Sequence, residues 1–207
     1  MGTLTLPAKG ADFQPPPAGA HIAVCYRVID LGTQEGSYKG KANKKHLILI
    51  SWELPDELMQ DGRPFTISKR YTLSSNKKSR LRGDLESWRG RAFDDSEFGT
   101  FDIGKLIGAG CMLNVVHEDK DDSTYANVAT IMRLPKGTKA PAPKNETLCF
   151  SLEAFDERDF DKLSDRIRET IMKSPEYKKA VGEWVGDEPP TSNGHDYGND
   201  LNDEIPF

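Results

Sequence analysis

Between Arg63 and Arg91 the chain carries nine bases (Arg63, Lys69, Arg70, Lys77, Lys78, Arg80, Arg82, Arg89 and Arg91) against two acids, Asp84 and Glu86, a local charge of +7. Cations at this density suit a polyanion, because each phosphate they neutralise releases condensed counterions. Phe65, Tyr71, Trp88 and Phe93 are interleaved with them. A flexible single strand offers base faces as well as phosphates, and surfaces that combine cations with aromatic platforms take it up. The same pattern also describes a solvated basic face over an ordinary core, so its meaning depends on the elements that carry it. A second cluster, Lys39, Lys41, Lys44, Lys45 and His46, closes the Gly-rich stretch "LGTQEGSYKGKANKKH". The residues expected to meet phosphates are Lys44, Lys45, Lys69, Arg70, Lys77, Lys78, Arg80 and Arg82, with Trp52 and Tyr71 as stacking platforms. Trp52 shares a parity with Ile48 and Ile50 that can equally point it inward.

Other chemistries fit less well. "HEDKDDS" gathers His117, Glu118, Asp119, Asp121 and Asp122, all metal-ligand types, yet side chains packed into one hairpin cannot all converge on one ion. A polar turn is the simpler reading, and a metal-dependent nuclease is the rival from another functional class. No P-loop, GxSxG elbow or nucleophilic triad is present. Cys25, Cys111 and Cys149 are odd in number and far apart, so neither a disulfide framework nor a zinc site is expected. The expectation is a non-enzyme with no catalytic residues, no metal and no cofactor.

The chain ends "NDLNDEIPF", in which Ile205, Pro206 and Phe207 have no periodic apolar partners to bury against. From Asp187 onward there are six acids and no Lys or Arg. Such acids steer a segment toward basic grooves, while Phe207 offers an aromatic anchor and a free carboxylate. Asp203, Glu204, Ile205, Pro206 and Phe207 are therefore expected to dock on a partner protein. Without this tail, the formal charge of -5 becomes a body of 28 bases and 27 acids. The longest apolar run, "HLILISW", is far shorter than the roughly 20 residues a bilayer requires, and "MGTLTLPAKG" lacks the parts of a signal peptide. A soluble, cytoplasmic protein with reduced thiols is expected.

The elements that must hold the basic segment can be read from periodicity. Residues 1–19, with "QPPPAG", form an extended arm. Ile22, Val24, Tyr26 and Val28 alternate with Ala23, Cys25 and Arg27 as a half-buried strand. "HLILISWEL" is a second strand after a Gly-rich loop, and "FTISKRYTL" a third, with Phe65, Ile67, Tyr71 and Leu73 on one parity. Leu81, Leu85 and Trp88 then mark one stripe of a helix capped by Ser74 or Ser75, with Gly90 just past its end. "CMLNVVH" and "YANVATIMRL" make two more strands around the polar turn. Five strands with a helix between the third and fourth is the order of an OB-fold, a small Greek-key barrel that takes up oligonucleotides. The fold class is thus mainly β: a five-stranded OB-like barrel over 20–135, a Pro/Lys linker over 136–147, a C-terminal helical extension over 148–186 and a disordered acidic tail over 187–207. In the extension, Phe160, Leu163, Ile167 and Ile171 fall at helical spacing, and Ser174 with Pro175 restarts a helix.

The terminus "DLNDEIPF" resembles the acidic tail of bacterial and phage single-stranded DNA-binding proteins, with Asp203, Ile205, Pro206 and Phe207 matching and Glu204 in place of an Asp. Residues 20–135 resemble phage replication proteins with an OB-like single-stranded DNA-binding domain, through Tyr71 to Ser74, Leu81 to Gly90 and Gly108 to His117. The resemblance implies a non-enzymatic protein that coats single-stranded DNA in phage replication or recombination, and whose tail recruits replication or repair enzymes and competes with DNA for the groove. A single-strand annealing protein is the alternative within the same class. Whether the C-terminal helices dimerise or cover the barrel is left open.

Overall fold

The computed structural model describes residues 14–182 apart from Lys39 and Asp122. Most of the N-terminal arm, and the tail with Asp203, Glu204, Ile205, Pro206 and Phe207, lie outside the described residues.

The first two strands are longer than their apolar stretches predict. β1 runs over Gly19–Tyr38 and β2 over Lys41–Leu58. The Gly-rich segment expected as a loop is a continuous ladder, from Gly32 opposite Leu47 to Tyr38 opposite Lys41. Its glycines serve shape instead: Gly32, at φ 68°, follows a register shift, and Gly40, at φ 75°, lies in the turn. A second shift lies between Cys25 and Arg27. It flips the parity of β1, so Ala23, Cys25 and Val28 enter the main core, in place of the expected Ile22, Val24, Tyr26 and Val28 face.

β3 spans Pro64–Thr72, β4 Gly110–Lys120 and β5 Ser123–Met132, with β6, Leu148–Phe150, where only helix was expected. The strand order is β3-β2-β1-β4-β5. β1 pairs with β4 through Gly19–Val24, with β2 from Val24 onward, and in parallel with β6 at Arg27–Ile29. The protein is therefore mainly β, but its six-stranded sheet is not a closed barrel: β3 and β5 approach without a ladder. The helix α1, Arg80–Arg89, packs against both strands at this seam. Its Ser87 hydroxyl donates to the Ile131 carbonyl of β5 at 2.5 Å, satisfying a group that a neighbouring strand would otherwise take.

α1 begins later than the expected cap at Ser74 or Ser75 would place it. Ser79 is the cap, accepting from the Arg82 N–H, while Ser74 and Asn76 organise a turn ahead of it. Gly90 ends the helix at φ 73°, as expected. A short α2, Asp95–Gly99, and a 3-10 turn at Ile103–Leu106 lead into β4.

Two apolar clusters result. The first fills the space between sheet and α1 with one parity of β2 (Ile48, Ile50, Trp52, Leu54) and of β3 (Phe65, Ile67, Tyr71), against Leu81, Leu85 and Trp88. The second lies on the opposite face of the sheet, where Ile29, Leu31 and Leu49 meet the C-terminal helices through Phe160, Leu163 and Ile171. These are α3 (Glu157–Asp161), α4 (Asp165–Met172) and α5 (Pro175–Ala180). The break before α4 falls at Ser164, and Ser174 caps α5 by accepting from the Tyr177 N–H. The C-terminal helices cover the sheet. No helix among the described residues is long and apolar enough to cross a membrane.

Candidate nucleic-acid interface

The residues singled out by charge and aromatic type do not form one surface. Trp52 is fully buried and packs on Trp88 with ring centroids 5.7 Å apart, so it presents no face to a base. Tyr71 is 2% exposed, and its hydroxyl donates to Asp84 Oδ2 at 2.8 Å. Burial, reinforced by that carboxylate, pushes the phenol well above its usual range. Lys69 shares the inward parity and donates to the same Asp84 oxygen at 2.7 Å. Burial pulls its ammonium down, with Asp84 acting against the shift. Arg82 is likewise structural: it holds Glu86, Asp95 and the Phe93 carbonyl, and its guanidinium lies 5.2 Å from the Phe98 ring centroid. These four side chains tie α1 to the sheet and to α2, so the expectation that they meet DNA is corrected.

The remaining cations fall into three places. Lys77, Lys78 and Arg80 are exposed at the entry to α1, Lys77 pairing with Asp95 at 2.5 Å. Lys44 and Lys45 lie on the β1–β2 ribbon, Lys44 directly across from Glu35 at 3.3 Å. Arg70 points outward from β3, opposite Leu49 of β2.

The outward side of β1, β2 and β3 around Arg70 brings together residues that the sequence did not single out. Arg27, Ser51 and Ser68 are successive ladder partners across the three strands. The Ser51 and Ser68 hydroxyls are 2.8 Å apart. Thr66, Ser68 and Arg70 are exposed along β3. Tyr26 is brought to this side by the bulge, beside Thr66. The Arg27 guanidinium lies 5.3 Å from the Tyr26 ring centroid, and its buried Nε has no acceptor among the described residues. The signal for Arg27 was a cation inside an otherwise apolar strand, but only the bulge decides which way it faces.

Two borders flank this strip. On one side the segment expected as a loose linker is strapped down by Glu53, a fully buried carboxylate of β2. Glu53 accepts the backbone N–H groups of Lys144 and Asn145 and the Asn145 side-chain amide, at 2.5, 2.9 and 2.7 Å. On the other side lies α4, whose Arg166 is near enough to Arg70 to lower its pKa. The chief cause of that lowering is partial desolvation of the guanidinium by the groups around it, although Arg70 is exposed as a whole, and the like charge of Arg166 adds to it.

The acidic turn "HEDKDDS" is mostly strand. His117 donates to the Pro16 carbonyl at 2.8 Å, Asp119 accepts from Thr124 at 2.7 Å, and Glu118 accepts from the Asn127 amide at 3.2 Å. The last two bonds knit the β4–β5 hairpin, and His117 ties β4 to the segment ahead of β1. No family model matches the chain, and no curated protein matches it either.

Proposed function

We propose that the chain binds single-stranded DNA without strong sequence preference, coating and protecting it during phage replication or recombination in a bacterial cytoplasm, and catalyses no reaction. The observation that carries the reading is the outward strip of β1–β3, where Arg27 and Arg70 flank exposed hydroxyls between the Glu53 strap and α4. Cations that meet phosphates, with small polar groups between them, bind a backbone without reading base edges.

The finer fold reading is an OB-like barrel with one open seam. It is supported by the strand order, by α1 between β3 and β4, and by the approach of β3 to β5. In such barrels the face of the second and third strands and the flanking hairpin loops border the oligonucleotide groove. The corresponding parts here are the Arg70 strip, the ribbon with Lys41, Lys44 and Lys45, and the β4–β5 hairpin. Asp203, Glu204, Ile205, Pro206 and Phe207 are proposed to recruit replication or repair enzymes, a role their acids, aromatic and carboxylate suit.

Fluorescence anisotropy with labelled single-stranded and duplex DNA, at two salt concentrations, tests the reading. The expected result is a salt-sensitive preference for the single strand, weakened by Arg27→Ala and by Arg70→Ala, with the DNA left intact in Mg²⁺. Equal affinity for duplex, or affinity that salt does not change, would overturn it.

A further inference from the structure

The chain leaves β3 after Thr72 and turns toward α1, and this turn forms one side of a shallow cavity of about 220 Å³ at the end of the main core. The buried Leu81 and Phe98 lie at its base, with Leu73, Ser75, Phe101 and Ile103 around the mouth. Phe93 backs the two rings, its centroid 5.3 Å from that of Phe98 and 5.2 Å from that of Phe101. Phe101 and Ile103 are only half-buried and Leu73 is 41% exposed, so the core presents an apolar opening to solvent here. Its volume is below the roughly 300–1,000 Å³ of a site for a drug-sized molecule, which leaves room for one ring.

The lip of this opening is cationic. Lys77, Lys78 and Arg80 stand between Ser75 and Leu81 in the chain, and all three are exposed. Lys77 is tied across to α2 by Asp95. Neither the Lys78 ammonium nor the Arg80 guanidinium has an acid partner among the described residues. Asp102, the acid between Phe101 and Ile103, is turned onto the Gly104 N–H at 2.9 Å. Cations at the start of a helix oppose its dipole, and the first turn of α1 holds no acid to offset them. Their placement disfavours the helix and suits an anion beside the mouth.

We infer that this cavity holds one unstacked nucleobase of the bound single strand, its face against Leu73, Phe101 and Ile103, with the adjoining phosphate on Lys78 and Arg80. This rests on the single-stranded DNA reading and deepens it by supplying the base contact that the buried Trp52 and Tyr71 do not make. The route is continuous: Ser68 is exposed on the outward side of β3, and Ser74 at the cavity lies six residues further on, at most about 20 Å along the chain. A base held by its face is held whatever its edge, so the site adds affinity without sequence preference. An acidic peptide ending in apolar residues, such as the chain's own terminus, is the rival occupant. Room for one ring does not seat Ile205, Pro206 and Phe207 together, so the base is the better fit.

The test uses the full chain and compares a labelled oligo(dT) with an abasic deoxyribose phosphate strand of equal length and charge. The unaltered chain is expected to bind oligo(dT) at least about fivefold more tightly, the lower end of the effect of one stacked base. Gly99 lines the cavity at the end of α2, and a Cβ there would meet nothing within 4 Å. Gly99→Leu thus fills the mouth without displacing a neighbour, and is expected to weaken oligo(dT) binding about threefold to tenfold while abasic affinity and the thermal midpoint hold. Lys78→Ala is expected to reduce the slope of log affinity against log salt by about 0.7 on both strands, one phosphate contact. If the unaltered chain binds the two strands equally, or if folded Gly99→Leu binds oligo(dT) as the unaltered chain does, no base sits here and the inference falls alone. An unchanged slope in Lys78→Ala overturns it as well. A gain of oligo(dT) affinity in Gly99→Leu would make the chain's own terminus the occupant, which also overturns it. If the unaltered chain binds neither strand, both readings fall.

Discussion

Glu176 grips Thr33 with both carboxylate oxygens, Oε1 accepting the hydroxyl at 2.5 Å and Oε2 the backbone N–H at 2.8 Å. His46 lies between this carboxylate and Asp30, with Nε2 at 2.7 Å from Asp30 and Nδ1 at 3.7 Å from Glu176. Asp30 in turn accepts the N–H groups of Gly32 and Leu152. Three charged groups thus fasten the C-terminal helices to the base of the ribbon.

This latch has a pH window. The hydrogen bond to Asp30 raises His46 above its ordinary value of 6.5, burial opposing it. The stability His46 contributes is fully present below that value and is lost as pH rises through the raised one. Burial pushes Asp30 and Glu176 upward, but hydrogen bonds from His46 and Gly32, and from Thr33, outweigh it and leave both below their ordinary 3.8 and 4.5. Their contributions are present above those values and lost on further acidification. The latch is complete between about pH 4.5 and 6.5. The thermal midpoint of the unaltered chain, minus that of His46→Gln, is expected to be largest there and to shrink toward pH 9; a difference that grows with pH would contradict the sign.

Asp84 joins β3 to α1 by accepting from both Lys69 and Tyr71. In Asp84→Ala the Lys69 ammonium, 12% exposed, and the Tyr71 hydroxyl lose their acceptor together. A loss of roughly 1–3 kcal/mol is expected, the cost of leaving buried donors unsatisfied. Urea unfolding measures it. DNA affinity of the folded fraction is expected to stay the same, since both donors point inward.

Trp52 separates the two readings of the aromatic residues. Its ring is enclosed by the core and Trp88, so Trp52→Phe is expected to cost about 1–3 kcal/mol through lost packing and to leave oligo(dT) affinity within about twofold. A large loss of affinity at unchanged stability would return Trp52 to the interface.

Glu53 organises the strap through three N–H donors. Gln in its place turns one acceptor oxygen into a donor that faces other donors, at a cost of roughly 1.5–3 kcal/mol for hydrogen bonds to a charged group. Native-state hydrogen exchange should speed up at the amides of Lys144 and Asn145 in Glu53→Gln. Unchanged exchange there would mean that the strap is held by its other contacts, among them Lys144 Nζ on the Pro55 carbonyl and Ala140 over Gly110.

What the sequence determined by itself was local. The inward parity of Phe65, Ile67 and Tyr71, the Leu81–Leu85–Trp88 stripe ending at Gly90, and the Ser174–Pro175 start of α5 each depend on residues within a turn or two of one another. The charge of the basic segment and the composition of the "DEIPF" terminus were equally plain.

The partners of those charges were decided only by the tertiary structure. Lys69 meets Asp84 and Arg82 meets Asp95 across turns whose geometry no periodicity encodes, so cations that look alike in sequence divide into structural and outward ones. One extra residue at Tyr26 reverses the faces of β1 and turns Arg27 outward. A three-residue β6 is too short to leave a pattern, and the Gly-rich ribbon is extended because its cross-strand partner supplies hydrogen bonds that composition does not reveal. Side-chain type is set by the chain, but the direction of a strand side chain follows from register, and register is a property of two strands together.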